Sequence, residues 1–234
     1  MRAVLLFDEL LITPSDRVEV VCTDPSVPED NTVLRAVRLL QEVADYPPVR
    51  IELVKRIPNE AGFGGGSSDA AGVLRSARQL MRSVLPAHEV RSIVRALGTD
   101  TAFFLHGGSA RGEGYGDQIT PLPDEAPQWL LLALPDCRCR TPEMYARLDQ
   151  EPRDWREFPS DPWELWNDFE LVAPPECQML LEELSRRGFL AGLTGSGSAV
   201  FAICKGESEA KRLAASLDVP WSAVARTLTR AESL

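Results

Sequence analysis

Apolar and polar positions alternate over residues 17–21 and again over "VRIELVKRIP", where Val49, Ile51 and Leu53 share a face. Both stretches read as strands, the second ended by Pro58. Between them "DNTVLRAVRLLQEVAD" places Val33, Ala36, Val37, Leu40 and Val43 at helical spacing behind Asp30 or Asn31 as cap. After Pro58 comes a glycine-rich loop, and Ala70, Val73, Leu74, Ala77, Leu80, Met81 and Val84 then line one helical face. "HEVRSIVRAL" repeats the helical spacing at Val90, Ile93, Val94 and Leu97 and stops at Gly98. "TDTAFFLHGG" reads as a short turn, and "GGSARGEGYGDQITPLP" as short antiparallel strands joined by tight turns.

The best linker is "PLPDEAPQ", residues 121–128. It divides the chain into expected domains 1–123 and 129–234. In the second half "WLLLALP" is an apolar strand, and "TPEMYARLD" a short helix capped by Thr141 with Pro142 at its first position. "PPECQMLLEELSRRG" is a longer helix ended by Gly188, and "LTGSGSAVFAIC" runs from a small-residue loop into a strand. "ESEAKRLAASL" is helical and "WSAVARTLTR" closes as a strand, which makes this half an α+β domain with helices on one face of an antiparallel sheet.

The glycine loop "AGFGGGSSDAA" puts Gly62, Gly64, Gly65 and Gly66 directly before a helix start. Glycines admit positive φ and let a ligand lie against the backbone, while a helix N-terminus offers unpaired N–H groups and a positive dipole end. A polyphosphate suits both properties, whereas a ligand-free strand-to-helix turn needs one glycine. The loop is not a Walker A sequence, because Ser67 and Ser68 stand where its lysine belongs. It is not the dinucleotide G-x-G-x-x-G either, since Ser67 replaces the last glycine, and no G-x-S-x-G of a serine hydrolase occurs.

Composition narrows the partners. At 234 residues the chain has room for one large or two small cores, and no apolar run reaches the roughly 18 residues of a membrane span. No basic-then-apolar leader opens the chain, so the expected compartment is the cytoplasm. Net charge is −10 with basic residues scattered, which argues against nucleic acid. The cysteines (Cys22, Cys137, Cys139, Cys177, Cys204) lack CxxC spacing and the histidines are only His88 and His106. Unreactive thiols are a better reading than a zinc site or disulfide framework.

"IPNEAGFGGGSSDAA" resembles the central motif of the GHMP kinases. "LGTDTAFFLHGGSARGEGYGDQITPLP", "TPEMYARLD", "NDFE" and "GLTGSGSAVFAIC" resemble further segments of that family, in the same order and at similar spacing. The resemblance implies a two-domain GHMP kinase-like α+β fold, with an N-terminal nucleotide-binding domain and a C-terminal ferredoxin-like α+β domain. It implies ATP along Pro58, Ala61, Gly62, Gly64, Gly65, Gly66, Ser67 and Ser68, with Ser67 or Ser68 near Mg²⁺. Asp100 of "LGTDTAFF" matches the catalytic carboxylate, which would orient or deprotonate an acceptor hydroxyl. Tyr145 matches an aromatic that stacks on a cytosine, and Thr141, Gly195, Ser196 and Gly197 fall in segments that meet the substrate. The implied acceptor is a cytidine diphosphate-linked methylerythritol, phosphorylated on its 2-hydroxyl in non-mevalonate isoprenoid synthesis, by a monomer or homodimer.

The chain departs from the family pattern at Glu60 (usually glycine), Phe63 (usually leucine) and Ala102 (usually proline). A carboxylate at Glu60 repels phosphates if it faces them, and is harmless if it points to solvent; both are open from the sequence. The family's first motif, with the lysine that pairs the catalytic aspartate, and the Asp-Gly-Tyr-His segment after it are not seen here. The first lysine is Lys55. Two expectations follow: a kinase whose start lies further upstream, or a non-catalytic nucleotide-binding relative on the same fold. A GHMP kinase for another small alcohol is a further alternative. A start placed downstream would leave an open sheet edge and favour dimerisation or low stability.

Overall fold

The computed structural model describes residues 1–81, 84–153, 157 and 164–234. The chain forms two compact units. Unit 1 comprises Met1–Asn59, Gly64–Ala126 and Thr227–Leu234, and unit 2 comprises Glu60–Phe63 and Pro127–Arg226.

Unit 1 is built on β1 (Glu9–Pro14), β2 (Glu19–Cys22), α1 (Thr32–Val43), β3 (Val49–Val54), α2 (Gly65–Leu80), α3 (Ala87–Leu97), α4 (Thr101–His106), β4 (Ala110–Glu113) and β5 (Gln118–Pro121). β3 is central, antiparallel to β1 (Leu10↔Leu53, Ile12↔Ile51) and parallel to β2 (Val20↔Ile51). A parallel pair needs a crossover, and α1 supplies it. Val49, Ile51 and Leu53 alternate onto the helices, where they meet Val33, Val37 and Leu40 of α1, Val73 and Ala77 of α2 and Ile93 of α3, all buried. Asn31 rather than Asp30 caps α1, its side chain accepting from Leu34 N–H at 3.1 Å. β4 and β5 form the expected short antiparallel pair.

Several expectations need correction. The strand placed at 17–21 runs Glu19–Cys22, and β1 was not anticipated. α2 ends at Leu80, leaving Val84 90% exposed instead of on its buried face. "TAFFLH" is helix α4 and not a turn, anchored by buried Thr101 and Phe103.

The last eight residues return to unit 1, so the closing strand stops at Arg226 instead of running to residue 230. Leu228 N–H donates to Ala3 O at 2.9 Å, and Leu228 packs with Ala3, Phe103 and Ala110. Ser233 Oγ accepts from Gly108 N–H at 2.7 Å. The half-buried Arg75 of α2 donates to Phe104 O and, at 3.3 Å, to Ser233 O, tying α4 and this tail to α2.

Unit 2 contains β6 (Trp129–Leu134), α5 (Thr141–Leu148), a 3₁₀ helix at Asp168–Val172, α6 (Pro175–Arg186), β7 (Ala191–Leu193), β8 (Val200–Cys204), α7 (Glu207–Ala215) and β9 (Trp221–Arg226). The antiparallel sheet has the order β7-β8-β6-β9. With α6 before β7 and α7 before β9 this is the ferredoxin-like β-α-β-β-α-β arrangement. Leu131, Val200 and Ala202 pack on Cys177, Leu180 and Leu184 of α6 and Ala210 and Leu213 of α7. The cap of α5 is Arg140, not Thr141; Thr141 lies inside the first turn and spends its hydroxyl elsewhere.

All five cysteines are free. Burial pushes the thiols of Cys137, Cys139, Cys177 and Cys204 up, which keeps them protonated and unreactive. Among the described residues no helix is long and apolar enough to cross a membrane.

Candidate active site

Helix α2 begins at Gly65 behind Gly64, a left-handed cap at φ +70°. A Cβ on Gly64 would stand 2.8 Å from the Phe104 ring, so a side chain there clashes, and Asp100 Oδ2 lies 3.6 Å from the same point, within contact of the cap. Asp100 immediately precedes α4 and makes no capping bond. Burial raises its carboxyl pKa, opposed by the Thr99 hydroxyl and by the Met1 ammonium. The first-turn N–H groups of α2 have no partner inside the helix, which makes this end an anion site. Ser68 Oγ donates to Gly65 O at 2.9 Å, whereas the Ser67 hydroxyl makes no hydrogen bond among the described residues.

Sequence reasoning missed the charged cluster beneath this turn. Lys55 Nζ donates to Asp8 Oδ2 and, at 2.9 Å, to Asp69 Oδ2; the three side chains are 6%, 1% and 4% exposed. Asp8 Oδ1 also accepts the Arg56 and Ile57 N–H groups at 2.6 and 2.9 Å. Burial opposes the charge on Lys55, but Asp69 and Asp8 outweigh it and raise its pKa. Burial likewise drives the Asp69 carboxyl up, to about 7 from 3.8, with Lys55 pulling the other way.

The sign of the resulting pH dependence follows. A carboxyl whose pKa is higher in the fold stabilises fully below its unfolded value, and that contribution is lost as pH rises through 7. Wild type is therefore expected to lose at least about 1 kcal/mol between pH 4 and pH 7 relative to Asp69→Asn. Urea denaturation of both proteins across that range measures the difference; parallel curves would refute it.

A cavity of about 190 Å³ opens beside this cluster and the α2 N-terminus, lined by Val27, Pro28, Asp30, Asn31, Thr32, Val33, Arg35, Leu53, Lys55, Asn59, Gly66 and Asp69. Val27, Val33 and Leu53 give it an apolar wall, and seven polar or charged side chains line the rest.

Of the expected loop residues, Pro58 lies in unit 1 and Ala61 and Gly62 in unit 2. Ala61 O accepts from Ala199 N–H at 3.1 Å and from Thr194 Oγ1 at 3.2 Å. A Cβ on Gly62 would fall 2.2 Å from Thr194 O, so the bare backbone here serves contact with the second small-residue loop.

Glu60, at φ +56°, is the one non-glycine residue with positive φ among those described, and its carboxylate lies 3.8 Å from Arg138. Glu60→Gly removes a left-handed penalty of about 1–2 kcal/mol against a glycine entropy cost of about 0.5–1 kcal/mol. A net gain near 0.5–1 kcal/mol is expected, readable as a higher thermal midpoint. An unchanged or lower midpoint would contradict it.

The loop between β7 and β8 holds Gly195, Ser196 and Gly197. Ser196 Oγ lies 3.0 Å from Thr141 Oγ1, bringing two expected substrate residues together. Tyr145 is 54% exposed, with the Phe169 ring edge-on at 4.9 Å and 86°. Asn167, the first residue of the family-like "NDFE" segment and given no role from sequence, donates from Nδ2 to Leu193 O at 3.0 Å and to Gly195 O at 2.8 Å.

An α+β unit with a glycine-capped helix N-terminus, a carboxylate against that cap and an adjoining pocket, joined to a ferredoxin-like unit, defines a nucleotide-dependent phosphotransferase fold. The GHMP kinases N terminal domain matches residues 31–108 and the GHMP kinases C terminal domain residues 165–221. The 4-diphosphocytidyl-2-C-methyl-D-erythritol kinase of Tolumonas auensis is 34% identical over 213 residues, covering 87% of this chain and 73% of the relative. That of Geobacter sulfurreducens is 34% identical over 221 residues, covering 88% and 79%. A crystal structure of 4-(cytidine 5'-diphospho)-2C-methyl-D-erythritol kinase superposes with a TM-score of 0.77 at 30% identity, covering 94% of this chain and 85% of that one. The chain belongs to the GHMP kinase family.

Proposed function

We propose that this chain is an ATP-dependent kinase that phosphorylates the 2-hydroxyl of 4-diphosphocytidyl-2-C-methyl-D-erythritol, a step of non-mevalonate isoprenoid precursor synthesis. The observation that carries the reading is the Asp100 carboxylate beside the Gly64 cap of α2, in a chain about one third identical to kinases of that name. Unit 1, which holds most of residues 1–123, is the ATP-binding domain, and unit 2, which holds most of residues 129–234, the C-terminal domain. Gly64, Gly65, Gly66 and Ser67 offer the α2 N–H groups to the phosphates, and the adjoining cavity takes the nucleoside. The free Ser67 hydroxyl fits a ligand to Mg²⁺, an ion that keeps most of its shell as phosphate oxygens and water and neutralises phosphate charge. Asp100 orients the acceptor hydroxyl and takes its proton; in a loose transition state positioning is the larger share. On unit 2, Tyr145 offers an exposed ring to the cytosine, with Thr141, Gly195, Ser196 and Gly197 for the polar part of the acceptor.

The test is incubation with ATP and the cytidine-linked methylerythritol, followed by mass spectrometry, with ATP affinity measured by calorimetry. A product heavier by one phosphoryl group is the expected result. Nucleotide binding without turnover would return the non-catalytic reading, and turnover of an alcohol lacking cytidine would replace the acceptor.

A further inference from the structure

We propose that Asn167 is a positioning residue for the acceptor half of the site: its amide fixes both the 194–199 loop and the aromatic ring behind Tyr145. The assignment of that half to the acceptor rests on the function proposed above; the mechanical role of Asn167 does not.

The loop cannot hold itself. Gly195 and Gly197 adopt φ +50° and +87°, and only Thr194 N–H to Ala199 O at 2.9 Å and Gly197 N–H to Thr194 O at 2.8 Å close it from within. Glycines of this kind surrender more conformational freedom on ordering than other residues, so an external clamp is needed. Asn167 provides it. One Nδ2 group donates to the carbonyls of Leu193 and Gly195, the residues at the end of β7 and the start of the turn. Glu170 supports the same segment by accepting Leu193 N–H at 2.9 Å.

The other end of the amide acts in a second direction. Asn167 Oδ1 accepts Phe169 N–H at 3.0 Å and so caps the 3₁₀ helix Asp168–Val172. That cap sets the Phe169 ring, which meets Tyr145 edge-on. Only a primary amide combines two N–H donors with an acceptor in so short a side chain. Through it the loop carrying Ser196 and the exposed Tyr145 ring are referred to one half-buried residue.

Asn167→Asp separates the two directions, because it keeps the capping acceptor and nearly the same shape while losing both donors. Asn167→Ala loses everything. Two readouts are taken on the full chain: amide hydrogen exchange at residues 194–198 with β8 as internal reference, and affinity for cytidine 5′-diphosphate and for ATP by calorimetry. Expected for Asn167→Asp are exchange in the loop faster by about tenfold with β8 unchanged, about tenfold weaker cytidine 5′-diphosphate binding, and unaltered ATP binding. Wild-type exchange and affinity in Asn167→Asp, with losses only in Asn167→Ala, would reduce Asn167 to a helix cap and overturn the clamp. Acceleration that includes β8 would make it a support of the sheet and overturn it as well. Faster loop exchange with unchanged cytidine 5′-diphosphate affinity would overturn its role toward the acceptor. A wild-type chain without affinity for cytidine 5′-diphosphate removes the acceptor reading, and the exchange comparison alone then decides the clamp.

Discussion

Asp100→Asn is expected to lower kcat by about 10²- to 10⁴-fold with ATP affinity unchanged, the range for loss of a general base that also orients the nucleophile. Asparagine preserves the shape beside Gly64 and the contact with Thr99, leaving ionisation as the principal difference. Because burial raises the Asp100 pKa, the acid limb of the wild-type rate profile lies above the ordinary aspartate range, and activity rises with pH through it. Steady-state kinetics from pH 4 to 8 test both parts. Turnover that survives Asp100→Asn would remove Asp100 from the chemistry. A limb at the ordinary aspartate position would mean that burial does not govern its ionisation.

Lys55→Ala is expected to cost about 3–5 kcal/mol, the usual penalty for leaving a buried charge unpaired. Lys55 is the cation that neutralises Asp8 and Asp69, and all three side chains are almost wholly buried. Without it two adjacent carboxylates face each other under the first turn of α2. Asp69, whose pKa burial already raises, then prefers its neutral form still more, so the deficit shrinks as pH falls and it protonates. Urea denaturation at pH 5 and pH 8 reads this directly: the larger loss belongs at pH 8. A loss below about 1 kcal/mol, as for an exposed pair, would show that the cluster carries little of the stability.

The long helices were readable because each buries one face over several turns, as Val33, Ala36, Val37 and Leu40 do in α1 and Ile93, Val94 and Leu97 in α3. β1 was not, since Leu11 is 60% exposed between the inward Leu10 and Ile12 and blurs the alternation. α4 has six residues and β7 three, too few for a period to declare itself. The same division runs through the site. A glycine loop before a helix is local chemistry, so the anion-binding turn could be located from one segment. The partners Asp8, Lys55 and Asp69 are separated by 47 and 14 positions, and Asn167 by 26 and 28 from the carbonyls it holds. Such pairings exist only once the chain has folded. Glu60 shows the converse: its departure from glycine was plain in the sequence, while the φ of +56° that makes it costly was not.

The return of Thr227–Leu234 to unit 1 imposes an order on assembly. Unit 2 is continuous over Pro127–Arg226 apart from Glu60–Phe63, so its sheet can close soon after β9 leaves the ribosome. Unit 1 has its main core by residue 97, yet the pocket between Ala3, Phe103 and Ala110 stays open until Leu228 arrives. Contacts spanning more than two hundred residues are the slowest to form. During synthesis α4, directly after Asp100, therefore waits for Leu228 while about half the chain is made, and that interval is when a chaperone would engage it.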